Sequence, residues 1–212
     1  MHFHIITLFP KAFDSYLSES ILKRAIENKK IKVSFYNPRD FVKNKWKKVD
    51  RPPYGGGPGL VVEALPVIKA IAKAKGKKNA KILFLSPSGK QFTNNYAAKV
   101  AKKYKHVVII CGRYEGVDAR VKKVFKVDEI SIGPFVSTGG ELPAMMIMDV
   151  MARQVPGVLG NPESIEERRV SSSEVYTRPE VFKHRGKLYR VPKILLSGHR
   201  AKIDEWKKKR RC

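Results

Sequence analysis

Apolar and polar positions follow two different patterns along the chain. Short runs rich in Val, Ile, Leu and Phe, bounded by Gly, Pro or charged residues, are typical of strands buried on both faces. Such runs predict five strands: Phe3–Leu8, Ile31–Tyr36, Ile82–Leu85, Val107–Cys111 and Glu129–Gly133. Segments with helical spacing, and with Lys or Arg on the polar face, predict five helices: Ser15–Asn28, Ala64–Lys75, Asn94–Tyr104, Val117–Phe125 and Leu142–Arg153. Because the two kinds of segment alternate, we predict an α/β fold around a parallel sheet.

Two long stretches follow neither pattern. Residues 37–66 are rich in Pro and Gly, and residues 156–179 are rich in Glu, Ser and Arg, which is typical of a linker or a lid. Beyond them come an apolar segment, Val191–Leu196, and a basic helix, Ala201–Arg211. We therefore expect a main domain over residues 1–160, a flexible linker over 161–178 and a small, basic, helical appendage over 179–212.

Charge narrows the class of partner. The 212 residues include 44 Lys and Arg against 19 Asp and Glu, a net charge of +25, which favours a nucleic acid or an acidic membrane surface. No apolar stretch approaches the roughly 20 residues that a membrane span needs, and the run His2–Pro10 is too short for a signal peptide. Two cysteines, Cys111 and Cys212, form no disulfide framework, so we expect a cytoplasmic protein without a membrane partner.

Glycine-bearing loops follow three of the predicted strands, at Ser86–Lys90, Gly112–Asp118 and Gly133–Glu141. In an open α/β sheet, ligands bind beyond the carboxyl ends of the strands. Loops with little side chain present backbone donors and acceptors, which suits a flat heteroaromatic ligand. Each loop alone fits a turn before a helix, but the three together favour a binding site. The glycine signatures of P-loop and dinucleotide-binding proteins are absent.

Other chemistry-bearing residues are less specific. No Cys or His cluster has the spacing of metal ligands, so we expect no metal site, and we expect structural roles for His2 and His4 on one face of the first strand. The segment Tyr54–Gly59 is rich in glycine, and no predicted strand precedes it. It fits either a basic clamp on an RNA backbone or a plain linker. Glu141 and Arg153 suit the two ends of the last predicted helix.

Nine segments, in order along nearly the whole chain, resemble the bacterial tRNA (guanine-N1)-methyltransferases of the TrmD type. They are Pro38–Phe41, Asp50–Gly59, Leu85–Pro87, Cys111–Gly116, Ser131–Gly133, Gly139–Ala144, Val155–Gly160, Tyr176–Pro179 and Leu195–His199. The resemblance implies a SPOUT fold, which is an α/β domain with a deep trefoil knot, and a homodimer with a shared active site. It also implies S-adenosylmethionine as methyl donor, and as target N1 of the guanine 3′ of the anticodon in tRNA. Magnesium dependence is a further implication.

The resemblance also assigns roles to individual residues. Glu115 would contact the target guanine, Arg153 would be the cation near the ring oxygen, and Glu167 would be the base. The cofactor-binding residues would be Leu85, Ser86, Pro87, Gly112, Arg113, Tyr114, Glu115, Gly116, Ser131, Ile132, Gly133, Phe135, Val136, Ser137, Gly139, Gly140 and Pro143. The residues on the RNA would be Tyr54, Gly55, Gly56, Gly57, Gly59, Arg178, Ser197 and His199.

The chain departs from the family pattern at three points. Arg168 stands where the family has the aspartate that acts as the general base. For this reason we assign the role of general base to the neighbouring Glu167. Pro134 replaces an acidic residue after Ser131–Gly133, and the C-terminal appendage is shorter than is usual. Two alternatives stay open: a related knotted methyltransferase with another RNA target, and a catalytically silent RNA-binding dimer. Arg168 favours the silent dimer, whereas the Gly139–Ala144 segment and Arg153 favour the enzyme.

Overall fold

A five-stranded parallel sheet forms the centre of the first of two compact units, Met1–Gly160 and Asn161–Cys212. The computed structural model describes residues 1–161, 170 and 172–210. The strands of the first unit are β1 (His2–Ile6), β2 (Lys32–Tyr36), β3 (Asp50–Arg51), β4 (Val61–Val62), β5 (Ala80–Gln91), β6 (His106–Ile110) and β7 (Asp128–Ser131). The central sheet has the order β2-β1-β6-β5-β7, and β3 pairs with β4 in a separate antiparallel ribbon. The predicted parallel α/β sheet is confirmed.

Helices cover both faces of this sheet. The α-helices of the first unit are α1 (Asp14–Leu17), α2 (Ser20–Glu27), α3 (Ala64–Lys75), α4 (Asn94–Lys103), α5 (Arg120–Val124) and α6 (Glu141–Ala152), and Pro10–Phe13 and Pro38–Phe41 are 3₁₀ turns. Alternate residues of β1 face opposite cores: Phe3 and Ile5 lie in one cluster with Met148 of α6, and Ile6 lies in another with Ile71 of α3. Burial on both faces explains why the strands read as continuous apolar runs.

Two predicted helices differ from the observed ones. The segment 15–28 forms two helices, α1 and α2, because the backbone between them is extended at Glu19, with φ −126° and ψ 151°. The segment 117–125 becomes helical only at Arg120. Before the helix, the Asp118 carboxylate accepts a hydrogen bond from the Arg120 N–H at 2.9 Å, which holds residues 118–120 in a turn. The glycine-rich segment also differs from expectation, since the ribbon strand β3 precedes it and β4 follows it.

The second unit is not purely helical, which corrects the predicted helical appendage. It contains a hairpin of β8 (Val181–His184) and β9 (Lys187–Arg190), followed by α7 (Lys193–Leu196) and α8 (Arg200–Lys208). The turn residues Arg185 and Gly186 both have positive φ, which suits a two-residue hairpin turn. The hairpin side chains are mostly exposed, so no apolar alternation marks these strands in the sequence. Half of the predicted linker, residues 162–169 and 171, lies outside the described residues.

Candidate functional site

A cavity of about 250 Å³ lies beyond the carboxyl ends of β5, β6 and β7. Three loops surround it: the first interrupts β5, the second follows β6 and the third follows β7. The lining residues are Leu85, Ser86, Pro87, Gly112, Arg113, Tyr114, Glu115, Gly116, Ile130, Ser131, Ile132, Phe135, Val136, Ser137, Thr138, Gly139, Gly140 and Pro143. This is the edge of a parallel sheet at which ligands bind in open α/β folds.

The first wall is a loop that leaves β5 and returns to it. Leu85 and Lys90 both pair with Ile130 of β7, so residues 86–89 bulge out of the ladder toward the cavity. Gly89 makes the return possible, because a Cβ at this position would lie 2.5 Å from the Ile130 backbone nitrogen. The sequence Ser-Pro-Ser-Gly thus provides a short loop with small side chains at the cavity.

The second wall is the loop after β6. Tyr114 has φ +58° and Gly116 has φ +120°, so the chain makes a tight left-handed turn there. The loop is fixed to the β3–β4 ribbon, because the Glu115 N–H donates to the Leu60 carbonyl and the Val62 N–H donates to the Gly116 carbonyl, each at 3.0 Å. The glycine-rich segment and the cavity therefore belong to one local structure.

The third wall runs from β7 to the start of α6 and closes against the second. The Gly140 N–H donates to the Gly112 carbonyl at 2.8 Å, and Arg113 and Gly139 form an isolated antiparallel bridge. A Cβ on Gly140 would lie 2.6 Å from the Cys111 Cα, so only glycine allows the helix to begin this close to β6. The chain thus returns from the edge strand β7 past β5 to the end of β6.

A buried carboxylate holds these parts together. Glu141, the first residue of α6, has only 3% of its side chain exposed and accepts a hydrogen bond from the Thr7 hydroxyl at 2.7 Å. Arg113 Nε lies 2.8 Å from the other Glu141 oxygen, but the geometry is not that of a hydrogen bond, so this contact is an ion pair. Burial and the Glu141 charge raise the pKa of the neighbouring Cys111 thiol, which therefore stays protonated.

The side chain of Arg113 connects three loops around the cavity. Its guanidinium lies 4.5 Å from the centre of the Phe9 ring, and its Nη1 donates to the Thr138 carbonyl at 3.3 Å. Together with the Glu141 ion pair, these contacts join the loop after β1, the loop after β6 and the loop after β7. We infer that the side chain of Arg113 positions the cavity walls.

The structure brings together sixteen of the seventeen residues that the sequence assigns to the cofactor. The exception is Gly133, which lies under the Phe135 ring and exchanges hydrogen bonds with the Ser131 hydroxyl. Ile130 and Thr138 line the cavity but were not predicted. Each is the sequence neighbour of a predicted residue, and this adjacency is the signal by which they could have been found.

The three predicted catalytic residues have different positions. Glu115 is exposed at the cavity rim beside the glycine-rich segment, since a Cβ on Gly59 would lie 2.4 Å from its carboxylate. Arg153 follows the last residue of α6, about 18 Å along the helix from Glu141 at the cavity. The structure therefore does not bring Arg153 to the cavity of its own chain. Glu167 lies outside the described residues.

The predicted RNA-binding residues fall in both units. Tyr54 is fully exposed, and Gly55, Gly56 and Gly57 all have positive φ, whereas Gly59 faces Glu115. In the second unit Arg178, Ser197 and His199 are exposed. The Ser197 hydroxyl donates to the Ile194 carbonyl and accepts from the His199 N–H, which stabilises the turn between α7 and α8.

Comparison with known proteins identifies the family. The family model of tRNA (guanine-1)-methyltransferase TrmD matches residues 1–212. The chain belongs to this family. A tRNA (guanine-N(1)-)-methyltransferase of Clostridioides difficile is 44% identical, and the match covers 98% of this chain and 91% of that protein. The proteins of the same name from Caldanaerobacter subterraneus and Citrifermentans bemidjiense are 47% and 46% identical; each match covers 99% of this chain and 86% and 84% of the respective relative.

Two further observations concern other kinds of site. Within residues 1–161, 170 and 172–210, the one group of three or more ligand-type side chains arranged to hold a metal ion is His2, His4 and His106. This group lies at the opposite end of the sheet from the cavity of this TrmD-family chain. No helix in the described part of the chain is both long enough and apolar enough to span a membrane.

Proposed function

We propose that this chain transfers a methyl group from S-adenosylmethionine to N1 of the guanine 3′ of the anticodon in tRNA. One observation carries the proposal: sixteen residues that the family resemblance assigns to the cofactor line a single cavity at the carboxyl ends of β5, β6 and β7. Membership of the TrmD family supports the same reaction.

The chemistry of the cavity fits this cofactor. Leu85, Ile132 and Pro143 give apolar contact for a flat adenine ring, and the glycines leave backbone N–H and C=O groups accessible. At Gly116 a Cβ would have no heavy atom within 4 Å, so that side of the loop is open to a ligand. When bound, S-adenosylmethionine supplies a methyl group on a positively charged sulfur.

The protein's own residues have to prepare the guanine. N1 of guanine carries a proton and is a weak nucleophile until that proton leaves, so a base must accept it and a cation must stabilise the negative charge at the ring oxygen. We assign proton acceptance to Glu167 and charge stabilisation to Arg153. We assign to Glu115, at the rim, the acceptance of hydrogen bonds from the guanine edge. Because the transfer is an in-line displacement, positioning provides most of the rate enhancement.

The positions of Glu115 and Arg153 at opposite ends of α6 support a homodimer. If both act on one guanine, Arg153 has to come from a second copy of the chain, because α6 separates it from the cavity of its own chain. A face suited to this contact is present: Leu142 and Met146, one turn apart on α6, have 64% and 52% of their surface exposed. Phe9 and Tyr16, near the same helix, are exposed as well. Since Leu142 adjoins the cavity, a partner on this face would complete the active site.

Charge and loop structure support tRNA as the partner. A net charge of +25 favours binding to phosphates, and the exposed Tyr54 at the tip of the glycine-rich segment suits stacking on a base. The guanine would have to leave its stack to reach the cavity. We propose that magnesium, where the reaction requires it, is held by phosphate oxygens of the tRNA. We also propose that the protein acts in the cytoplasm.

We also propose the trefoil knot. Support comes from the path after β7: although β5 lies between β7 and β6, Gly139 and Gly140 are bonded to the end of β6. Such a path would take the chain across the 86–89 loop, which is the kind of crossing that a knot requires. Mechanical unfolding from both ends should leave a compact remnant shorter than a fully extended chain, and full extension would contradict the knot.

The test of the activity uses labelled S-adenosylmethionine and two unmodified tRNA transcripts, one with guanine 3′ of the anticodon and one with adenine there. We expect label only in the first. Label in both transcripts would indicate another target. Cofactor binding by calorimetry without any transfer would favour the silent RNA-binding dimer, for which Arg168 in place of the family's aspartate is the supporting observation. Absence of both binding and transfer would refute the proposed function.

A further inference from the structure

Three histidines meet at the end of the sheet away from the cavity. His2 of β1 and His106 of β6 occupy paired positions of neighbouring parallel strands, and His4 follows His2 on the same face. One ring nitrogen from each histidine lies within 4.8 Å of the other two. His4 is buried, whereas His2 and His106 are half-buried and reach the surface.

The closest pair has the spacing of two ligands of one ion. His4 Nε2 and His106 Nδ1 are 3.2 Å apart. Zinc binds imidazole nitrogen at about 2.0–2.1 Å, and two ligands at a tetrahedral angle are then about 3.3 Å apart. A metal ion at this position would replace the proton that joins the two nitrogens, and His106 would then carry its proton on the other ring nitrogen, Nε2.

Partners on β2 orient two of the rings. His4 Nδ1 lies 3.0 Å from the Tyr36 hydroxyl, and His2 Nε2 lies 2.9 Å from the Ser34 hydroxyl. If each of these ring nitrogens carries the proton and donates it, the other nitrogen of the ring keeps its lone pair. Metal-binding histidines in proteins are held in this way by outer hydrogen-bond acceptors.

The environment also keeps the rings uncharged. Burial, followed by the neighbouring positive charges, lowers the pKa of His2 and of His4 from 6.5 to about 4, and burial lowers that of His106 too. Neutral imidazole is the form that binds metal. The nearby Lys32 and Lys78 weaken metal binding, because their positive charges repel a divalent cation.

We propose that His2, His4 and His106 bind Zn²⁺, or another first-row transition metal that prefers imidazole ligands, and that the ion joins β1 to β6. Three nitrogen ligands leave one tetrahedral position for water. Imidazole ligands distinguish this site from a magnesium site, which would need oxygen ligands. The site is independent of the proposed methyl transfer, since it lies at the other end of the strands.

The test is a titration of the metal-free, full-length protein with CoCl₂, followed by visible absorption, and then displacement of cobalt by ZnCl₂. We expect saturation at one ion per chain, without the absorption that a cysteine thiolate gives with cobalt. His106→Gln should weaken binding at least about tenfold. His184→Gln, which changes a histidine of the hairpin, is the matched control and should bind normally. Lys78→Gln should bind more tightly.

Thermal unfolding gives a second measurement. Zinc should raise the Tm of the wild type and of His184→Gln but not that of His106→Gln. If His106→Gln does not fold, His2→Gln, also at a half-buried position, takes its place. The proposal is wrong if cobalt binding does not saturate, if the thiolate absorption is present, or if the His106 and His184 variants bind alike. The three rings would then be only a hydrogen-bonded polar cluster.

Discussion

The ion pair between Arg113 and Glu141 allows a quantitative prediction about stability. The Glu141 carboxylate is almost fully buried, with the Arg113 Nε at 2.8 Å and the Thr7 hydroxyl at 2.7 Å. Arg113→Met removes the cation and keeps the aliphatic stem, so the carboxylate is left without its counter-charge. Breaking a fully buried pair from one side costs about 3–5 kcal/mol. Because 26% of the Arg113 side chain is exposed, water can partly replace it, and we expect about 2–3 kcal/mol.

This cost corresponds to a fall in Tm of about 4–12 °C for a chain of this size. Glu141→Gln should cost less, about 1 kcal/mol, because the amide oxygen still accepts from Thr7 and the arginine can turn to solvent. The double variant carries no buried unpaired charge, so its loss should be smaller than the sum of the two single losses, with a coupling of about 1–2 kcal/mol.

The assay is urea unfolding of the single and double variants, followed by far-UV circular dichroism at pH 7. The matched control is Arg120→Met, which breaks the exposed pair with Asp118 and should cost less than about 1 kcal/mol. The reasoning is refuted if the double variant loses as much stability as the two single variants together, within about 0.5 kcal/mol. Additive losses would mean that the two side chains do not interact. Cofactor affinity should fall in parallel with stability for Arg113→Met, since its side chain joins the cavity walls.

Three other predictions test the proposed dimer, a half-buried hydrogen bond and a residue at the cavity rim. Met146→Glu should convert a dimer to monomers in analytical ultracentrifugation, whereas Leu65→Glu, an equally exposed site away from α6, should not. Tyr96→Phe should cost about 1–2 kcal/mol in urea unfolding, because the hydroxyl donates to Asp128 at 2.7 Å. Burial raises the pKa of Asp128, but its bonds to Lys81 and Tyr96 together lower that pKa to below its ordinary value of 3.8. The stability that Asp128 contributes is therefore fully present above pH 3.8 and is lost as the pH falls through the lowered pKa, so Tyr96→Phe should unfold at a higher pH in an acid titration. Glu115→Gln should slow methyl transfer about 10²-fold while the tRNA dissociation constant, measured by filter binding, stays nearly unchanged.

The local pattern of apolar residues and glycines predicts the strands of the sheet and the loops that follow them. Strands buried on both faces, such as β6, need continuous apolar residues, and turns that approach another backbone need glycine, as at Gly89 and Gly140. Both requirements act on single residues or short runs. The sequence therefore predicts which loops surround the cavity, even though it does not give their contacts.

Contacts between strands that lie far apart in the sequence cannot be predicted from local patterns. His4 and His106 are 102 residues apart, and they meet because β1 pairs with β6 rather than with a strand close to it in the chain. The same holds for Thr7 and Glu141, which are 134 residues apart. The β8–β9 hairpin was missed for another reason: its strands are exposed, so burial imposes no apolar pattern on them.

The position of Arg153 leads to a test of the shared active site. Glu115 lies at the cavity, and Arg153 lies at the far end of α6, so a single chain does not bring both side chains to its own cavity. Glu115→Gln and Arg153→Ala should each inactivate the homodimer. In a heterodimer with one protomer of each kind, isolated through two different affinity tags, one site keeps both residues and the other loses both. Such a heterodimer should recover about half of the wild-type activity, since a two-fold dimer has two equivalent sites. No recovery would mean that each site uses residues of one chain, and then Arg153 could not be the cation.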